Sequence, residues 1–369
     1  MAWLVAPQSP AEAATWHSHE MLFGFAAAIV SGILLTALPS WAGTPEWQGG
    51  RLAALVALWV AGRIAFWCEA LPLPWRGAID FVYFPVMMLW LAPQLLRLSD
   101  RRFLWLLPIL GGFAAAQALY WLGHWRAEPT LRASGLHWGV HALLLLFVVK
   151  GGLLTPIFTG NALRERRLGD APKFLPELEY GIAIAVLLLA LTQALATPAA
   201  SLATICFGSA ALLVFRSWRW QAWRVADLPM LAAMHLAFLW LIVALVLRGW
   251  AALDVRLPRD AWLHAFLVGA VGAMMLSLMN RVSLRHSGRA MMVTKPMRWA
   301  FVAINLAALV RVAAALGRLD GLWTAGAMTL WAAAFGTYLV CFARVLCSPS
   351  QARAATPEEA ARLKRETPD

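Results

Sequence analysis

The sequence predicts an all-α, polytopic membrane helix bundle of about 11 transmembrane helices, and three observations predict it. Hydrophobic residues fill 61% of the 369 positions and charged residues only 14%, whereas apolar residues make up about half of a soluble domain. Windows long enough to cross a bilayer, about 20 residues at roughly 1.5 Å each, recur along the chain with little loop between them. The basic residues alternate between crowded and sparse connections, as they do when successive loops lie on opposite sides of a membrane.

The windows fall at residues 18–38, 52–70, 77–96, 103–123, 133–157, 180–197, 199–215, 228–247, 261–280, 299–317 and 322–346. Together they make residues 1–348 a single bundle, with 349–369 as a short polar tail. The longest polar connection, Asn161 to Glu179, mixes charges of both signs with Pro172 and Pro176 and reads as a surface loop. In the tail, Thr356-Pro357-Glu358-Glu359 places Thr at an N-cap, Pro at the first helical position and Glu at the capping-box position. A short cytoplasmic helix is expected there.

A net charge of +12 in a soluble protein would point to nucleic acid, but in this chain it has a topological meaning, and no nucleic-acid binding is indicated. Connections after odd-numbered spans hold Arg97, Arg101, Arg102, Arg164, Arg166, Arg167, Lys173, Arg216, Arg219, Arg224, Arg281, Arg285, Arg289, Lys295 and Arg298. The tail adds Arg344, Arg353, Arg362, Lys364 and Arg365, while the other side holds Arg76, Arg126, Arg132, Arg248, Arg256, Arg259 and Arg318. The imbalance is about threefold, which places the C-terminus in the cytoplasm and the N-terminus outside. Met1 to Thr15 carries neither a basic n-region nor an apolar h-region of its own. Either an upstream helix is missing, giving an even number of spans, or the short N-tail crosses with the first helix.

Ionisable groups inside apolar windows are expensive and mark functional sites. In this topology His17 and His19 enter the first span, His137 and His141 lie in the fifth and His264 opens the ninth, all towards the outer face, with His124 at the same level. The orientation rests on Arg and Lys alone, so this shared layer is an independent observation. His137 and His141 are four residues apart, which stacks them about 6 Å apart on one helix face, able to ligate one metal or bracket a cofactor. The bland alternative is a core histidine bonded to a nearby carbonyl.

Glu20, Glu69 and Asp80 share the layer and could orient a ligating imidazole, although simple interfacial hydration suits Asp80 better. Arg63 and Arg311 sit too deep to snorkel, so haem propionates or nearby carboxylates are expected to receive them. Lys150 lies nearer the cytoplasmic end, where its stem reaches the headgroups, and His235 and His286 also fall towards the inner side. Small residues at Gly24, Ala28 and Gly32, and at Gly269, Gly272 and Ala273, offer flat stripes for helix packing or a planar ligand, so the two histidine-bearing spans are expected to pack closely. Met274, Met275, Met279, Met291, Met292 and Met297 are soft donors that could serve copper, but Met is also ordinary filler in apolar cores, and filler is the favoured reading. Cys68, Cys206, Cys341 and Cys347 form no C-x-x-C pair and no haem-attachment motif, so any haem is held non-covalently. Walker, dinucleotide, G-x-S-x-G and H-E-x-x-H motifs are all missing from the sequence. Most of the 21 tryptophans mark interfacial belts.

Three stretches resemble the NnrS family, bacterial haem- and copper-containing membrane proteins associated with nitric oxide stress. The first is His19-Glu-Met-Leu-Phe-Gly-Phe25 and the second is Gly151-Gly-Leu-Leu-Thr-Pro156-Ile-Phe-Thr159 followed by Asn161. The third runs from His264 through Gly269, Gly272 and Met275 to Arg281 and His286-Ser-Gly-Arg289. Leu153 stands where the second motif has Arg, with Lys150 one turn earlier as a candidate substitute, and the family has about twelve spans, one more than are found here.

The resemblance implies a multi-pass protein of the bacterial inner membrane, with the lipid bilayer around it and nitric oxide as its small-molecule ligand. His19 and His264 carry over as haem or copper ligands, with His17 beside them in the candidate metal set. His137, His141, Arg63 and Arg311 join the cofactor-binding set by position. The function implied is protection from nitrosative damage through bound haem and copper. The alternatives are a membrane redox enzyme acting on nitric oxide, which needs a proton route and an electron donor, and a transporter of haem, copper or another solute. Deep polar residues in both halves of the bundle would favour transport, and the sequence places them mainly in the outer half.

Overall fold

Among the described residues of the computed structural model, eleven helices are long and apolar enough to cross a bilayer. The structure describes residues 10–351 apart from Thr44, Ala196 and Asp320. The spans run Glu12–Pro39, Gly50–Trp67, Leu73–Arg97, Phe103–Trp125, Pro129–Glu165, Pro176–Ala194, Ala199–Arg224, Pro229–Leu253, Ala261–His286, Lys295–Gly317 and Leu322–Leu346, and are numbered 1 to 11 below. All eleven expected windows are present, and no strand occurs among the described residues. Proline sits in the first turn of spans 3, 5, 6, 8 and 10, where its missing N–H leaves no bond unmade. The tail helix expected at Thr356 lies outside the described residues.

Without water to drive helices together, packing in lipid depends on small residues that let backbones approach. Spans 4 and 5 form such a hairpin. A Cβ on Gly135 would lie 2.5 Å from the backbone nitrogen of Tyr120 and 2.7 Å from the carbonyl of Ala116, and Gly123 is likewise closed off by the backbone of Arg132. Spans 2 and 6 instead turn rows of apolar side chains outward at helical spacing, Val56, Val60 and Ile64 on one and Tyr180, Ile184 and Leu188 on the other. Such rows face lipid, not water.

Spans 1, 5 and 9, four apart in the sequence, form the centre. In their most apolar windows 56, 61 and 72% of residues are buried, against 50% or less in every other span. Each carries a π-helical stretch, Glu20–Ala26, Phe147–Gly151 and Ala265–Val271 respectively. A π-turn inserts one residue into the helix and upsets the local ladder, so it persists where something else holds it and is frequent at functional sites. Here neighbouring spans supply the hold. The carbonyl of Gly24 accepts from Trp59 Nε1 at 3.1 Å, and that of Val148 accepts from Arg216 Nη1 at 3.2 Å. Gly269 is pressed against Trp240, whose Cγ would lie 2.5 Å from any Cβ placed there.

The glycine stripes therefore work differently from the expectation. Spans 1 and 9 do pack against each other, but Gly24 faces Arg63 and Glu20 of its own neighbourhood, Gly32 meets nothing within 4 Å, and Gly269 and Gly272 face Trp240 of span 8 and Ile304 of span 10. Gly24, Gly269 and Gly272 make room for side chains of spans 2, 8 and 10, and none of the three faces the other histidine-bearing helix. In span 5, Gly152 leaves space for the guanidinium of Arg216, whose Nη1 would lie 2.6 Å from a Cβ, and Gly151 leaves space for Phe238 and Met274.

Polar burial also departs from the expected outer-half pattern. Lys150, Thr155, Thr159, Arg216, Ser277 and Asn280 are all buried in the half opposite the histidines. Arg216 reaches Glu179 at 2.9 Å and lies against the rings of Trp220 and Phe238. Lys150 places its ammonium 4.1 Å above the ring of Phe103, within the bundle, in place of the headgroups expected from its long stem. The Thr159 hydroxyl gives its proton to the carbonyl of Thr155 at 2.8 Å, so it accepts from His235 Nε2 at 3.0 Å.

Candidate functional site

The expected histidines gather at one end of the bundle but divide into three groups. In the first, span 1 delivers His19 as the last residue before its π-turn, span 2 delivers Arg63 and span 3 delivers Asp80. Gly62 makes the meeting possible, because a Cβ there would come within 3.2 Å of the Asp80 Cα. His19 is fully buried among the rings of Phe23, Phe66, Tyr120 and Trp121. Its Nδ1 donates to Glu20 Oε1 at 3.0 Å, which leaves Nε2 facing Asp80 Oδ2, also at 3.0 Å. That second contact is close but not aligned as a hydrogen bond, so Nε2 is without a hydrogen-bond partner.

Arg63 closes the group by donating from Nη1 to Glu20 at 2.6 Å and from Nη2 to Asp80. Trp121 Nε1 gives Asp80 Oδ2 a further bond at 2.8 Å. Two carboxylates thus balance the guanidinium and the imidazole away from bulk water, the extra hydrogen bonds offsetting their desolvation. Asp80 is only 2% exposed and is the hub of the group, which overturns its expected place as a hydrated interfacial residue. Glu69 remains exposed and takes no part. Of the two expectations for Arg63 and Arg311, nearby carboxylates meet both arginines.

The second group joins the entry of span 1 to spans 9 and 10. Arg311 Nη2 lies 3.4 Å from Asp260 Oδ2 and acts electrostatically on both His17 and His264, which also sense each other. His264 donates from Nδ1 to the carbonyl of Asp260 at 2.9 Å. Its tautomer is therefore fixed with the Nε2 lone pair uncommitted, the arrangement that ligating histidines adopt. Beside the pair opens a pocket of about 480 Å³ lined by Arg256, Arg259, Arg311 and Arg318 together with Asp260. In the loop bordering it, Arg256 clasps Asp254 and holds that carboxyl down to about 2.

The third group is His141 with Arg248. His137 and His141 do stack at i and i+4, each donating from Nδ1 to the carbonyl four residues earlier, at 2.8 and 2.7 Å. Arg248 Nη1 then donates to His141 Nε2 at 2.8 Å, while its guanidinium lies 4.6 Å from the centre of the Trp262 ring. The two histidines do not converge on one point, since the ring nitrogen that His141 would offer is already engaged. Among the described residues no three His, Cys, Asp or Glu side chains converge as a metal site. Arg248 and Arg216 read in the sequence as topology markers, yet both are buried and hydrogen-bonded. Each falls one residue past an apolar window, 199–215 or 228–247, while the helix runs on to Arg224 or Leu253, and this closeness to the window sets them apart from true loop arginines.

Fold and site together define a multi-pass helical membrane protein with buried, hydrogen-bonded groups of ionisable side chains at the His19 and His264 end of the bundle and a further buried pair, Arg216 with Glu179, in the opposite half. The chain belongs to the NnrS family: the family model described as NnrS protein matches residues 1–350. No curated protein and no solved structure matches it.

Proposed function

We propose that this protein holds haem and copper at the histidine end of the bundle, on the outer side of the bacterial inner membrane, and lessens damage by nitric oxide. The family is generally associated with haem and copper, and imidazole nitrogens such as those gathered here are donors to either. The observation that carries the reading is His264, whose Nδ1–H is tied to Asp260 and whose Nε2 is free. It opens the third family-like stretch, with His17 and Arg311 beside it. The four guanidiniums of the adjoining pocket suit the carboxylates of a haem. His19, at the head of the first family-like stretch and held at Nδ1 by Glu20, is a second candidate ligand, whose Nε2 would exchange the facing Asp80 carboxylate for a metal.

When bound, a haem iron with an open coordination position supplies a binding site for nitric oxide. The chain's own part is to hold each imidazole in one tautomer, balance the charge around it and keep it out of water. Purified protein from cofactor-supplied cells should show a Soret band and contain copper, and the absence of both would sink this reading. His264→Ala should lower haem retention about 10- to 100-fold.

A second reading, transport of haem, copper or another solute, gains support from polar groups buried in both halves. Asn280 is the sharpest case, since neither of its amide atoms has a hydrogen-bond partner. Solute counterflow in proteoliposomes tests it: flux lost in Asn280→Leu supports transport, and no flux with any of the solutes removes it.

A further inference from the structure

The three π-bearing spans do not close completely on one another. Between them lies a partly open cavity of about 70 Å³ whose walls are almost wholly apolar. Span 1 contributes Val30 and Leu34, span 5 contributes Leu146 and Phe147, and span 9 contributes Met274 and Met275. We propose that this cavity is a binding site for a small, uncharged, apolar molecule the size of a diatomic gas.

Chemistry excludes the other occupants. A buried water needs two to four polar partners, and the walls offer one polar side chain, Lys150, whose ammonium is turned onto the Phe103 ring. A cation would meet the Lys150 ammonium as well as the full desolvation cost, and an anion would have that ammonium as its single polar side-chain partner, too little to offset burial. An engineered apolar cavity of about 150 Å³ takes up benzene or xenon, so a site of half that volume suits xenon, dioxygen or nitric oxide and is too small for an aromatic ring. The polarisable thioethers of Met274 and Met275 add dispersion attraction for such a guest.

Packed interiors normally have few voids, so a cavity at the meeting of the three most buried spans requires a cause. Each of these helices departs from α-geometry, span 5 near its middle and spans 1 and 9 in their first halves, and the departures are held by Trp59, Arg216 and Trp240 from outside the trio. Phe147, Gly151 and Val271 belong both to π-segments and to the cavity wall. The π-turns of spans 5 and 9 thus shift wall side chains away from regular interdigitation, while span 1 closes the third side with the α-helical residues Val30 and Leu34.

The inference goes beyond the haem and copper reading and does not depend on it, because xenon reports on the cavity whether or not a metal is bound. Crystals of the whole protein are pressurised with xenon and the anomalous difference map is read at the cavity. A peak between Leu146, Met274 and Met275 is expected, and it should vanish in Leu146→Phe and in Val271→Phe, either of which suffices if the other fails to fold. The proposal is overturned by an empty cavity when xenon occupies other sites in the same crystal, by an acyl chain in the space, or by a peak that survives in both variants.

Discussion

Arg248 Nη1 donates to His141 Nε2 across 2.8 Å, and His141 passes its own Nδ1 proton to the carbonyl of His137 at 2.7 Å. The imidazole is thereby fixed as the neutral Nδ1–H tautomer and its second nitrogen is occupied. Arg248→Met removes the donor and leaves a buried acceptor unsatisfied, at about 1–3 kcal/mol. Adding His141→Leu removes the orphaned group as well. Thermal unfolding in detergent should show the double variant closer to the parent than Arg248→Met alone, and equal losses in the two would mean that the pair is not coupled.

Asp80 accepts from Arg63 and Trp121 and faces His19, while buried at the mouth of three spans. Breaking a buried ion pair from one side strands its partner's charge and costs about 3–5 kcal/mol. Asp80→Asn should therefore lower the unfolding temperature sharply, whereas Glu69→Gln, at an exposed position of the same layer, should leave it unchanged. Arg63→Met combined with Asp80→Asn should cost less than the sum of the single changes, with a coupling of about 0.5–3 kcal/mol. Strict additivity would dissolve the group into separate contacts.

The eleven spans were legible because apolar length is a strong and nearly sufficient signal in lipid. That histidines share one end was legible from loop charge. Their partners were not. Asp80 looked interfacial because it lies near a helix terminus, and its burial follows from Gly62, which admits it against span 2. Lys150 and Arg216 lie near the other end, where snorkelling is the common outcome, and the aromatic walls of Phe103, Trp220 and Phe238, with Glu179 and the Val148 carbonyl at Arg216, help make burial tolerable. The π-turns had a trace that is clear only in hindsight: His19 and His264 are each followed at the fifth residue by glycine, and each immediately precedes a π-segment of seven residues.

Glycines of similar appearance in the sequence should differ widely in cost. A methyl group on Gly135 would overlap the backbone of Tyr120 and Ala116, which cannot move without parting spans 4 and 5. Gly32 has nothing within 4 Å. Gly135→Ala should destabilise by roughly 1–3 kcal/mol or more, while Gly32→Ala should be neutral or stabilise slightly by removing backbone freedom from the unfolded chain. Parallel melting curves of the two variants decide it, and equal behaviour would show that the hairpin is looser than its glycine contacts require.

The last prediction concerns what holds the first π-turn. Trp59 spans from the second helix to donate to the carbonyl of Gly24, within Glu20–Ala26. A backbone carbonyl without a partner inside a membrane is costly, so losing this donor favours either a shift back to α-geometry or local opening. Trp59→Phe keeps most of the ring volume and removes only the N–H, which isolates the hydrogen bond from packing. Amide hydrogen exchange should speed up across residues 20–26 with little change in Ala265–Val271, whose glycine is held by Trp240 through packing alone. Uniform exchange in both segments would mean that the π-turn of span 1 is set by its own sequence and that Trp59 only follows it.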